Sequence, residues 1–169
     1  MKLYLLRHGI AENAAPGGTD RDRHLTPRGQ LRMRRAAIGL RRLVARLDAL
    51  YTSPYPRAAE TAAIVAAVMP RGLKPQELDA LAPDTSAIDI VRALRTMRRE
   101  RVMLVGHEPS LSSAASLLLT GSADGVRIEL KKGGCIAIAL RAPAPRAAVL
   151  EWVATPRAMR RLGRTSTKA

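Results

Sequence analysis

Two arginines and two histidines in this chain are of the types, and in the kinds of place, that phosphoryl chemistry needs. The apolar run Leu3-Tyr4-Leu5-Leu6 ends abruptly in Arg7-His8-Gly9, so a strand delivers a guanidinium and an imidazole into a loop. Arginine offers a planar fork of donors that matches phosphate oxygens, and a neutral imidazole is a nucleophile. A second arginine, Arg57, lies just inside the helix that follows Ser53-Pro54, and a second histidine, His107, follows the apolar run Val102-Met103-Leu104-Val105. Each of these residues stands where a strand gives way to a loop or helix. In an open α/β sheet the carboxyl ends of the strands lie along one edge, where ligands bind, so Arg7, His8, Arg57 and His107 are expected to converge. Ser53-Pro54 and Glu108-Pro109 each begin a helix, and helix N-termini point backbone donors at anions. Taken singly, either histidine reads first as a satisfied polar residue at a strand end, and Arg57 as a helix-surface charge.

The elements that must hold these residues follow from the hydrophobic pattern. Residues 2 to 7 read as a strand, and the Pro16-Gly17-Gly18 segment as a loop reaching Leu25. Thr26-Pro27 supplies an N-cap and a proline at the first helical position, opening a helix to about Leu47 with Leu31, Ala36, Ile38, Leu40, Leu43 and Leu47 on its buried side. A strand over 49–52, an alanine-rich helix to about Met69, a strand near 74–78 and a helix over 86–99 come next. The unbroken apolar run 102–105 reads as a fully buried strand, and Pro109 starts a helix that stops at Thr120-Gly121. Strands near 126–130, 135–141 and 147–154 are separated by short turns, which implies antiparallel pairing at one side of the sheet.

The 169 residues suffice for one domain, expected to span 1–169, with a continuous core. Cys135 is the sole cysteine and lies in an apolar run, so it reads as a buried, inert thiol. With no signal-peptide pattern and no run of membrane-spanning length, the chain is expected to be soluble, cytoplasmic and without a membrane partner. A monomer is the expected state. The formal charge of +15 comes mostly from arginine and would draw acidic partners. A solvated surface with no dedicated partner accounts for it equally well. With no Phe, one Trp and three Tyr, stacking platforms are scarce, and nucleic acid is not the expected partner.

Four blocks in order resemble one family. They are Leu5-Leu6-Arg7-His8-Gly9; then Asp20, Arg23, Leu25, Thr26 and Gly29; then Ser53-Pro54 with Arg57-Ala58-Ala59-Glu60-Thr61; and Val105-Gly106-His107-Glu108-Pro109-Ser110-Leu111. Together with Leu130-Lys131-Lys132-Gly133-Gly134, they make the chain similar to the histidine phosphatase superfamily, in particular its short SixA-type phosphohistidine phosphatases. The resemblance implies a three-layer α/β/α sandwich of the phosphoglycerate mutase-like kind, with a mostly parallel sheet and an antiparallel edge. It also implies that His8 is the nucleophile and that Arg7, Arg57 and His107 clamp the phosphoryl oxygens, with no cofactor or metal. Two arginines and a cationic imidazole can neutralise the equatorial oxygens of a transferring phosphoryl group. For His8 to attack, its other ring nitrogen should donate to a carbonyl or similar acceptor, whereas His107 beside a dianion should favour the charged form. Arg23 could reach the pocket or, with Asp20, simply order its loop. His24 matches no catalytic position and reads as a structural or rim residue. Lys131 and Lys132 could guide an acidic substrate protein or only form a turn.

Phosphoester-cleaving relatives protonate the leaving alkoxide with a carboxylic acid. The stretch Glu77-Leu78-Asp79-Ala80-Leu81-Ala82-Pro83-Asp84 lacks the signature of the mutase-like branch. Glu108 is the local candidate acid, with a helix-dipole role as the alternative. An imidazole leaving group, with a reference pKa of about 6.5, needs little such help. The expected substrate is therefore phosphohistidine on another protein, and a small phosphoester is the alternative.

Overall fold

The computed structural model describes residues 1–13, 18–70 and 72–164; Pro16 and Gly17 of the expected loop lie outside them. Six strands form one sheet: β1 (Lys2–Arg7), β2 (Ala49–Thr52), β3 (Gln76–Glu77), β4 (Arg101–Gly106), β5 (Cys135–Leu140) and β6 (Ala148–Ala154). Their order is β3-β2-β4-β1-β5-β6. The β3-β2-β4-β1 half is parallel, and β5 and β6 add the antiparallel edge.

The period-two alternation of strand side chains divides the core between the two faces of this sheet. Tyr4, Leu6, Met103, Val105 and Ala137 pack with α1 (Pro27–Leu43), α2 (Pro56–Ala66) and α5 (Pro156–Arg164). Leu3, Leu5, Val102, Leu104 and Ile136 pack on the other face with α3 (Ala87–Leu94) and α4 (Ser110–Thr120). The result is the expected three-layer α/β/α sandwich. Cys135 is fully buried in it, and burial pushes its thiol pKa up. No helix among the described residues is long and apolar enough to cross a membrane.

Several expectations change. Helix α1 is capped as read, with Thr26 Oγ1 accepting from the Gly29 N–H at 2.9 Å, but it ends at Leu43. Ala36, Leu40 and Leu47 are buried as expected, Leu47 beyond the end of the helix, but Leu31, Ile38 and Leu43 are exposed, and Met33 and Ala37 complete the buried face. The reason is a helix absent from the sequence reading. Helix α5 lies against α1 so closely that a Cβ on Gly39 would stand 1.8 Å from the Met159 carbonyl oxygen. Thr155-Pro156 repeats the Thr26-Pro27 start signal, and Thr155 Oγ1 accepts from the Ala158 N–H, yet Met159 is the one buried residue of α5. The four arginines and the apolar Met159 segregate cleanly around this helix, so the signal was present, but over nine residues only.

The strands near 74–78 and 126–130 also change. The first shrinks to Gln76–Glu77, and the second does not form. Around the Lys131–Gly134 turn the backbone serves the end of β1 rather than a ladder. The Gly133 N–H donates to the carbonyls of Arg7 and His8, and the Gly134 carbonyl accepts from the Arg7 N–H. Finally, the helix expected over 86–99 is regular only over Ala87–Leu94, started by the Ser86–Asp89 capping box.

Candidate active site

Parallel pairing of β1 with β4 and of β4 with β2 brings three strand ends to one edge. The His8 N–H donates to the Gly106 carbonyl at 3.0 Å, and the Ser53 N–H donates to the Val105 carbonyl at 2.9 Å. Backbone bonds just past the ladder thus set His8, Ser53 and His107 side by side. The rings of His8 and His107 lie with centroids 5.0 Å apart. Arg57, in the first turn of α2, is buried at the same edge, and its guanidinium carbon stands 5.0 Å from the centre of the Tyr55 ring. Tyr55 in turn meets His107 edge-on at 5.5 Å.

The ring nitrogens are assigned by their partners. His8 Nδ1 lies 2.7 Å from the Gly9 carbonyl oxygen. A carbonyl only accepts, so Nδ1 carries the proton and Nε2 holds the lone pair. Burial, followed by the nearby Arg57 and Arg7, lowers the His8 pKa to about 4 despite that hydrogen bond. The imidazole is neutral at neutral pH, as a nucleophile must be. His107 Nε2 lies 2.9 Å from Ser53 Oγ, leaving Nδ1 as the nitrogen for a ligand oxygen. Burial, then the neighbouring His8 and Arg57, holds its pKa at about 3. His107 is therefore neutral beside these cations and would gain charge only against an arriving dianion.

Both arginines are braced at their tips. Arg7 Nη1 donates to the Leu130 carbonyl at 2.9 Å. Arg57 Nη1 donates to the Asp20 carbonyl and Nη2 to Asp20 Oδ2, each at 2.6 Å. The Nε atoms of both arginines are buried with no partner in the protein. Buried unpaired donors cost free energy unless a ligand satisfies them, so a tetrahedral oxyanion beside His8 suits this arrangement.

The site thus unites Arg7, His8, Arg57 and His107. Arg23 stops one residue short of it, with Nη1 on Asp20 Oδ1 at 2.6 Å and Nε on the Glu12 carbonyl. Glu108 borders the site half-buried, with its pKa raised chiefly by that burial. Its Oε1 accepts from the Ser112 N–H at 3.0 Å, in the first turn of α4. His24 pairs with Glu60, whose Oε2 accepts from the Leu25 N–H, so both fasten the loop before α1 to α2. Lys131 is exposed and faces Glu129.

Sequence reasoning missed three supports. Ser53 orients His107; Tyr55 packs beside His107 and Arg57. Thr61 Oγ1 accepts from the Gly9 N–H at 3.0 Å while donating to the Arg57 carbonyl at 2.7 Å. A lone hydroxyl at a strand end and another one turn after Arg57 were the available signals for Ser53 and Thr61. Tyr55 had none.

The model of the histidine phosphatase superfamily (branch 1) matches residues 3–82. An uncharacterised protein of Picosynechococcus is 37% identical over 141 residues, which cover 82% of this chain and 84% of that protein. Among solved structures, the protein histidine phosphatase SixA complexed with tungstate has a TM-score of 0.80 at 21% identity, covering 93% of this chain and 98% of that one. The alpha-ribazole phosphatase of Shigella flexneri has a TM-score of 0.72 at 16% identity, covering 92% and 97%. These two likenesses establish a common fold.

Proposed function

This chain belongs to the histidine phosphatase superfamily, and on that premise we propose that it removes the phosphoryl group from a phosphohistidine displayed by another protein. The nucleophile is His8 Nε2, free because Nδ1 is committed to the Gly9 carbonyl. It attacks phosphorus as the substrate P–N bond breaks, while Arg7, Arg57 and His107 hold the equatorial oxygens. A substrate ring protonated on its other nitrogen departs as neutral imidazole. Water then attacks the phosphorylated His8, giving inorganic phosphate and restoring the free imidazole. The steps need only groups of the chain, the substrate and water.

The observation that carries the phosphohistidine reading is the engagement of Glu108. One of its two carboxylate oxygens, Oε1, is engaged by the Ser112 N–H at the start of α4, and imidazole, with a conjugate-acid pKa of about 6.5, leaves without such an acid. The likeness to SixA supports the same choice. One observation favours a second reading. Burial raises the Glu108 pKa, which is what an acid for alcohol departure requires, so a small-molecule phosphomonoesterase is the alternative.

The test is turnover by purified protein of a phosphohistidine-bearing phosphotransfer domain, a panel of sugar phosphates and an aryl phosphate, with His8→Ala beside the wild type. Phosphate release from the phosphotransfer domain, reduced by at least about 1,000-fold in His8→Ala, is expected. Turnover confined to sugar phosphates would replace the first reading with the second. Full activity in His8→Ala would end the covalent mechanism.

A further inference from the structure

A cavity of about 570 Å³ runs between α1, α5 and the 129–133 loop, opening beside Arg7 and Gly9. Ile10, Met33, Ala36 and Pro156 give it an apolar lining. Around that lining stand Arg32, Lys131, Lys132, Arg157 and Arg160, against one carboxylate, Glu129. Resting on the phosphohistidine reading, we propose that this groove binds an acidic segment of the substrate protein while its phosphohistidine occupies the pocket of His8.

The charge distribution supports an anionic occupant. Helices α1 and α5 together carry ten arginines and no carboxylate. Among the described residues, Arg32, Arg157 and Arg160 form no ion pair. Burial lowers the Arg160 pKa, and the neighbouring Arg32, Arg164, Arg157 and Arg35 lower it further. Folding has thus gathered like charges that repel one another, a cost that an acidic ligand would relieve. The field runs on into the catalytic site, for Lys132 is lowered by partial burial and then by Arg7, Arg23 and Arg57.

The shape of the groove selects among anions. Because Arg7 and Gly9 line it and also flank His8, one ligand can fill both places, whereas a free polyanion would have no need of the opening. The lining contains no aromatic ring, so bases have nothing to stack on. Aliphatic contacts ringed by cations suit a peptide in which carboxylates alternate with apolar side chains.

Three synthetic peptides with a central phosphohistidine flanked by glutamate, glutamine or lysine test the proposal, with free phosphohistidine as the reference that does not reach the groove. For the wild type at low salt, kcat/KM should be about tenfold higher with glutamate than with glutamine flanks, and lowest with lysine. High salt should erase the difference. In Arg157→Glu/Arg160→Glu the order should reverse, and because the readout is a ratio between peptides, general damage to the enzyme cancels. Equal turnover of the three peptides, or an unaltered preference in the double variant, overturns the groove assignment while leaving the reaction intact. No release from any phosphohistidine compound overturns the reaction reading and the groove's role with it. Inorganic tripolyphosphate binding to the wild type but not the variant, with peptides turned over equally, would make the groove a site for small polyanions instead.

Discussion

Asp20 holds two of the three nitrogens of Arg57, its carbonyl oxygen taking Nη1 and its carboxylate taking Nη2, both at 2.6 Å. The second carboxylate oxygen takes Arg23, and these hydrogen bonds, that from Arg23 first, keep the Asp20 pKa below the usual carboxylate range. One exposed carboxylate therefore fixes the guanidinium that faces the substrate and also offsets part of its charge.

Replacing Asp20 with Asn removes the charge and keeps an acceptor. Inorganic phosphate should then inhibit more tightly by several-fold, about 1 kcal/mol for a contact that solvent partly screens. Inhibition constants for the two proteins check this; equal or weaker inhibition in Asp20→Asn would show that bracing of Arg57 outweighs the charge it loses.

Acid should destabilise the ligand-free protein in a defined window. His8 and His107 have folded pKa values of about 4 and about 3, against an ordinary value of 6.5. Between these limits the unfolded chain binds more protons than the folded one. Their contribution to stability is therefore full above pH 6.5 and is lost as pH falls through about 4. Tm should decline on acidification across that range, and His8→Gln should flatten the decline. By the same shift, the acid limb of activity due to His8 should lie near pH 4, and a limb near 6.5 that vanished on altering His8 would contradict it.

Gly39→Ala should separate α5 from α1. The added Cβ would meet the Met159 carbonyl at 1.8 Å, where backbone rather than a movable side chain is struck. A loss of about 2–4 kcal/mol in urea unfolding is expected, of the order seen for overpacked or strained cores. Because Pro156 and Arg157 line the groove beside Arg7, preference among flanked phosphohistidine peptides should weaken too. An unchanged unfolding midpoint would mean that the helices part at little cost.

Much of the protein was legible in its sequence for a local reason. Apolar runs that end in Arg7-His8, Thr52-Ser53 and Gly106-His107 define strand ends, and parallel pairing can only bring such ends to one edge. The Thr26-Pro27 cap and the short turn between β5 and β6 are equally local. The meeting of Arg7, His8, Arg57 and His107 follows from these strand ends, whereas the three-layer sandwich was implied by the family resemblance of the motif blocks.

Tertiary structure alone decided which hydroxyl, carbonyl or carboxylate each of those residues would meet. Ser53 against His107, Thr61 against Gly9 and Asp20 across Arg57 are partners brought together by strand register and loop path, from as far as 54 positions away. Helix α5 is the extreme case. Its charged and apolar faces are well separated in sequence, but with Met159 its only buried residue it has little apolar area to dock with, and it finds its place because Gly39 lets two backbones touch. Local patterns record which face a residue prefers, whereas the partner it meets depends on where distant chain segments close upon one another.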